Sequence, residues 1–483
     1  MPQRSRAVVA AEVGCLAIFL VWLAALPLPF GAIVERARVP LVAVPLLLCA
    51  IAAGLRAVRA RDGIVPTRAY RLWTGGALLL IALAALQLVP LSPALLRSLS
   101  PESYAIWSDA GRVAALGGVT SPAARPISID PDATLFELFR LIALFATFQT
   151  AALLVRDHRR RTALALVLAA AAMFQTLYGA REAALGRYAI WGWVNTLIQH
   201  RVTGTFVNPN HFAHYVAIVF PLAVFLAAVA WREAGPREMR VRQRIINLLE
   251  RRFLLVTFAV VTAIACVAAI LVAQSRGGLL SLAAGSLIVG SFVTGRRPLK
   301  LALMVAAGAI LVAALVLLIG TERTIARFKP LPEEQTTLVG RRTGIEAAVG
   351  VWRRFPLLGS GAGTFPSVVL LEQKADVAKH YHRAHDDYAE LAATQGGIGF
   401  AVGVATLVGG WLALWRITFG AKAAELRWRR RAFQAAALAS LTIAVVHALI
   451  DFNFFIPSNP ATLAAIAGAA VAVYDSDDRR TRR

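Results

Sequence analysis

Apolar residues run in blocks of about twenty along most of the chain, parted by short polar links, and blocks of that length cross a bilayer's hydrocarbon layer as helices. Met1 to Arg6 is short and basic, and the apolar run that follows reaches about Phe30 without a small-residue cleavage site, so it reads as an uncleaved first span. Further spans are predicted near 39–55, 72–90, 132–155, 162–180, 211–231, 253–274, 279–294, 300–320, 396–416, 432–450 and 460–474, which makes twelve. One long polar insertion breaks the rhythm, from Thr321 to Gln395. The expected organisation is residues 1–320 as nine spans with short loops, 321–395 as a long loop, and 396–483 as three more spans and a tail.

Composition sharpens this picture. With 58% hydrophobic residues over 483 positions, the chain carries more apolar surface than one aqueous core can hide, and the fold class is an all-α polytopic membrane protein of about 12 helices. A formal net charge of +24 raises nucleic acid as a partner, but no recognition module accompanies it, and the basic residues gather in alternate short loops. That distribution places both termini in the cytoplasm. The blocks Arg156 to Arg161, Arg232 to Arg252 and Arg427 to Arg431 read as solvated anchors. Ser92 to Asp130, Arg181 to Asn210, the turn around Arg276, the long loop, and the link His447 to Asn459 then share the opposite, periplasmic face. Cys15, Cys49 and Cys266 lie inside apolar runs and form no metal-binding spacing.

Candidate chemistry is confined to that face. Asn208-Pro209-Asn210, just after Arg201, suits a helix start whose free amide hydrogens attract phosphate, although a well-capped span needs the same residues. Arg276, between two apolar runs, is costly unless an anion meets it or it snorkels to the surface. Arg341 opens a stretch with Ile345, Val349 and Trp352 at amphipathic spacing, expected to lie on the bilayer. The turn Gly359-Ser360-Gly361-Ala362-Gly363 reads either as a backbone cradle for phosphate or sugar, or as a hinge. His380, His382 and His385 stand beside Asp386 and Asp387, but their spacing matches no zinc pattern. A histidine oriented by a carboxylate serves as a general base without a metal, so neither metal nor cofactor is expected. His447 and Asp451, four apart, are expected on one helical face, as a functional pair or a lock between helices. Ionisable residues deep in the spans are few, Arg140 being the clearest, which weighs against a transporter or flippase of lipid-linked sugars.

Taken in order, Arg201-x-x-Gly-Thr-Phe-x-Asn-Pro-Asn, Ser275-Arg276-Gly277, the Arg341 helix, Gly359-x-Gly-x-Gly-Thr-Phe and His385-Asp-Asp-Tyr-x-Glu-Leu, followed by Gly396-Gly-Ile-Gly, resemble the O-antigen ligase and O-antigen polymerase superfamily, most clearly from Arg201 to Gly399. The resemblance implies a GT-C-like, metal-independent glycosyltransferase on the outer face of a bacterial inner membrane, with a glycan on undecaprenyl pyrophosphate as donor. Its histidine matches His385, and its arginines match Arg201, Arg276 and Arg341. Members often carry Asn after that histidine where this chain has Asp386, which leaves His382 as the other candidate base. The expected site thus joins His385, His382 and Asp386 for proton transfer with Arg201, Arg276, Arg341, Asn208, Asn210, Gly361, Gly363, His447 and Asp451 for the pyrophosphate and sugars. A ligase delivering glycan to the lipid A core is the leading expectation, with a polymerase or a protein O-oligosaccharyltransferase as its alternatives.

Overall fold

The computed structural model describes residues 2–58, 66–194, 200–236, 238–295, 297–300, 302, 304–306, 308–309, 332–372, 382–420 and 428–471. The predicted span at 300–320 falls largely outside these residues, and His380 and the tail beyond 471 fall wholly outside. The longer described helices are α1 (Pro2–Ala25), α2 (Glu35–Val58), α3 (Arg68–Leu86), α4 (Pro93–Leu99), α5 (Pro101–Leu116), α6 (Pro131–Leu154), α7 (His158–Ala184) and α8 (Pro209–Glu233). They continue with α9 (Val241–Val272), α10 (Arg276–Val293), α11 (Pro332–Arg354), α12 (Asp387–Phe419), α13 (Trp428–Ala448) and α14 (Ser458–Val471). A two-residue hairpin, Ala189–Ile190 with Trp193–Val194, interrupts this all-α layout.

Among the described residues 10 helices are long and apolar enough to cross a membrane, namely α1 to α3, α6 to α10, α12 and α13. Each covers a predicted span. The predicted twelfth corresponds to α14, described over 14 residues, fewer than the roughly 20 a straight crossing takes. Leu47, Leu79, Leu177 and Leu254 stand exposed on the rim, as side chains do where the neighbouring medium is lipid. The protein is a multi-pass membrane protein. Within the bundle α8 packs on α9, α10 on α13, α6 on α14 and α3 on α12.

Side-chain caps fix where the site-bearing helices begin. Asn208 Oδ1 accepts the amide of Asn210 (2.8 Å) at α8, Ser275 Oγ that of Gly278 (3.1 Å) at α10, and Asp386 Oδ1 those of Tyr388 and Ala389 (2.9 and 2.8 Å) at α12. α12 therefore starts well before the predicted 396. It kinks at Gly396 (φ 65°), where the amides of Gly397 and Ile398 donate instead to the carbonyls of Pro356 and Leu357 (2.7 and 3.2 Å).

α11 and the segment after it cover the start of α12 with a second small core of Ala347, Ala348, Val351, Phe355, Phe365, Val368, Ala384 and Ala393. The buried face of α11 is this small-residue stripe, offset from the expected one: Ile345 and Val349 are only half-buried and Trp352 is exposed. Small side chains win that face because the backbone comes close. A Cβ at Gly344 would stand 3.0 Å from the Ala384 carbonyl.

Candidate active site

Asp451 is the hub. α13 ends at Ala448, so Asp451 sits in the turn before α14 and shares no helical face with His447. The expected pair is replaced by two others. His447 stays in α13 and meets His214 of α8, Nδ1 to Nδ1 at 3.1 Å, with both rings buried. Asp451, its side chain 2% exposed, accepts a hydrogen bond from Asn210 Nδ2 at 2.8 Å. Around it also stand His211 Nε2 at 3.7 Å, His385 Nδ1 at 3.6 Å and an Arg341 nitrogen at 3.6 Å. Those separations exceed a made hydrogen bond, so the three groups face the carboxylate without closing on it. Burial alone would push the Asp451 carboxyl up, but the two imidazoles and the Arg341 guanidinium reverse this and hold it well below the usual carboxylate range. Phe452 lies edge-on to both rings, 4.6 Å from His211 and 5.0 Å from His385 between centroids.

The backbone aims His385 at this hub. Its φ of 57° is left-handed, a region histidine enters more readily than most residues, and the bend lets the next residue cap α12 while the imidazole turns aside. Nδ1 is buried toward Asp451, while the side chain as a whole is 32% exposed. The carboxylate beside His385 is thus Asp451, remote in sequence. Asp386 is occupied as a cap, where burial raises its carboxyl against the pull of two amides. Asp387 is buried and accepts the Phe454 amide at 3.2 Å. His382 is exposed.

Arg201 reaches the hub indirectly. It donates from Nε to the Ala273 carbonyl (2.9 Å) and from one terminal nitrogen to the Gln274 carbonyl (3.3 Å) and Asn210 Oδ1 (3.1 Å). It therefore ties the α9–α10 turn to the residue that holds Asp451. Arg276 is the first residue of α10 and is exposed; a Cβ on its neighbour Gly277 would stand 2.9 Å from His447 Nε2 and 2.5 Å from Ile450 Cδ1. The starts of α8, α10 and α12 converge here, each with the partial positive charge of a helix N-terminus.

Gly361 and Gly363 stand apart from this cluster. Their left-handed backbone (φ 118° and 78°) packs against Ser128 and Thr134, and against Ala133 and Glu137, at the start of α6. The amides of Ser360 and Gly361 donate to the carbonyls of Ala393 and Thr394 (3.2 and 3.0 Å), and that of Ala362 to Gln87 Oε1 (2.8 Å). The turn is a close-packed joint between α3, α6 and α12, and the amides of Ser360, Gly361 and Ala362 are spent within the fold.

Sequence reasoning missed His211 and His214, whose three-residue spacing directly after Asn208-Pro209-Asn210 puts both on one face of α8. It also left unexplained a buried charged layer behind the turn. Arg140 donates to both carboxylate oxygens of Glu137 (2.7 and 2.5 Å) and to the Phe454 carbonyl (2.7 Å), and Arg383 donates to Glu390 (2.6 Å). Among the described residues no group of three or more His, Cys, Asp or Glu is arranged to hold a metal ion. A mostly apolar cavity of about 290 Å³ runs between α3, α6, α12 and α14, with Asp387 and Tyr388 at the end beside the hub.

No curated protein matches the chain. The family model described as O-antigen ligase does match, over residues 258–404, a stretch running from within α9 to within α12 and carrying Arg276, Arg341 and His385, and over that stretch the chain is similar to O-antigen ligases.

Proposed function

We propose that the protein is a glycosyltransferase of the outer, periplasmic face that moves a glycan from undecaprenyl pyrophosphate to an acceptor hydroxyl, with the lipid A core as the acceptor. The observation that carries this reading is the continuous set of contacts from Arg201 through Asn210 and Asp451 to His385. It puts a candidate base and a cationic surface in one place. His385 Nε2 takes the acceptor's proton as the oxygen attacks the anomeric carbon, while Asp451 supports the charge that develops on the ring. The carbon–oxygen bond to pyrophosphate breaks as the new glycosidic bond forms, with inversion at that carbon. Arg276 and Arg341, with the helix starts of α8 and α10, meet the departing pyrophosphate without a metal. Arg201 holds the α9–α10 turn so that Arg276 is in place. His382 is the alternative base, and its exposure favours His385.

The test is transfer in proteoliposomes from a defined undecaprenyl-pyrophosphate glycan, with chelator present. Lipid A core, a second lipid-linked glycan and a protein are offered in separate arms. Turnover onto the lipid A core that survives chelation is the expected result. Transfer to one of the other acceptors alone would make the chain a polymerase or a protein O-oligosaccharyltransferase. Loss of turnover with chelator and its return with a divalent ion would overturn the metal-free mechanism.

A further inference from the structure

We propose that Arg140 and Asp387 are positioning residues which together hold the peptide of Phe454 and so set the place of Asp451 opposite His385. This rests on the mechanism proposed above and adds to it a control on geometry. The turn from 449 to 457 carries Asp451, and its backbone is gripped at one residue from two helices. The Phe454 amide donates to Asp387 Oδ2 at 3.2 Å, and the Phe454 carbonyl accepts from Arg140 at 2.7 Å. The Phe455 ring lies under both neighbouring guanidiniums, 5.3 Å from Arg140 and 4.1 Å from Arg383. On the other side of the turn, Phe452 is lodged between His211 and His385. Moving Phe454 therefore moves Asp451.

Glu137 neutralises Arg140 through two of its nitrogens but leaves unexplained why a third reaches across to the turn. A buried ion pair contributes little net stability by itself, since desolvation offsets most of its attraction. What a guanidinium adds over an apolar pair here is a directed donor at a fixed point on the turn. Asp387 supplies the matching acceptor from the first residue of α12, two positions after His385, so base and turn are referenced to the same helix start.

The test is a double-mutant cycle on glycan transfer. Arg140→Met is combined with Glu137→Gln in both arms, so that Glu137 is not left as a buried charge without its cation. In the native background this pair is expected to lower kcat about ten- to a hundredfold with the donor KM within about twofold, as a small misplacement of a catalytic group does. In an Asp451→Asn background the same pair is expected to cost less than about twofold, because the residue it positions has already lost its role. Asp387→Asn keeps an acceptor for the Phe454 amide and is expected to retain activity, while Asp387→Leu reproduces the Arg140 loss. A full and independent loss in the Asp451→Asn background, or native kcat in the Arg140 variant, would overturn the positioning role alone. Native activity of Asp451→Asn itself would overturn the proposed mechanism and this inference with it.

Discussion

The Asp451 carboxylate stands 3.6 Å from His385 Nδ1, while Asp386, covalently next to that histidine, turns away into the end of α12. The two carboxylates therefore differ in what their loss does. His385→Ala removes the proton acceptor, and kcat is expected to fall about 10²- to 10⁴-fold. Asp451→Asn keeps a side chain of the same shape beside Asn210 but removes the charge facing the ring, for an expected loss of about ten- to a hundredfold. Single-turnover transfer, normalised to folded protein, separates the two. Equal rates for Asp451→Asn and the native chain would make the contact incidental.

Asp386 has the opposite expectation. Asn and Ser cap a helix about as well as Asp, so Asp386→Asn and Asp386→Ser are expected to retain both melting temperature and turnover. Asp386→Ala gives up the cap and costs about 0.5–2 kcal/mol of stability, with activity per folded molecule kept. Were Asp386→Asn as slow as His385→Ala, the carboxylate would have a chemical role that its two amide contacts do not reveal.

The three arginines are expected to fail in three different ways. Arg276→Ala removes an exposed cation at the start of α10 and should weaken handling of the lipid pyrophosphate, raising the donor KM about tenfold or more. Arg341→Ala takes away a charge that faces Asp451 and should show mainly in kcat. Arg201 serves three acceptors on two segments with one planar fork, so Arg201→Lys, which cannot reach all three, should lower thermal stability nearly as far as Arg201→Ala. Full rescue by lysine would reduce Arg201 to a point charge.

Much of the fold was legible because membrane spans announce themselves by length and hydropathy, and ten of the predicted ones coincide with helices able to cross. The grouping of Arg201, Arg276, Arg341 and His385 at one end was legible for a related reason: the spans alternate, so polar links two apart share a face. The pairings were not. The readings of Asp386 as orienting His385 and of His447 as sharing a face with Asp451 assumed that helices and neighbours continue, whereas α13 stops at Ala448 and the backbone reverses at His385. Contacts such as Asn210 with Asp451, or Gln87 with Ala362, join residues hundreds of positions apart and leave no periodic trace. The glycines at 361 and 363 looked like a cradle because close approach to a ligand and close approach to the protein's own backbone demand the same residue.

Gly396 gives a further check on that last point. Its φ of 65° is strained for any other residue, and a Cβ there would press on the Leu357 carbonyl. Gly396→Ala is therefore expected to destabilise the chain by about 1–3 kcal/mol, measured as loss of folded yield and melting temperature, while the molecules that fold keep their donor KM. A changed donor KM with unchanged stability would instead place a ligand at the kink.

Acid should reach the site from a predictable side. The native pKa of Asp451 lies well below that of the unfolded chain, where a carboxyl of this type titrates near about 4. The unfolded state then binds the proton first as pH falls, so the stability contributed by Asp451 is complete above that range and is lost as pH drops through the lower native value. Asp386 has the reverse sign: its native pKa is raised, so ionising it as pH rises through that raised value takes stability away. The stability gap between the native chain and Asp451→Asn should consequently be flat from about pH 7 to about pH 5 and narrow only below about pH 4. The Asp386→Asn variant should change little at low pH and gain slightly on the native chain above it. Melting curves in detergent across that range test both signs at once. A gap for Asp451→Asn that widens as pH falls through about 7 to 6 would mean that a histidine of the cluster, and not the carboxylate, carries the linkage.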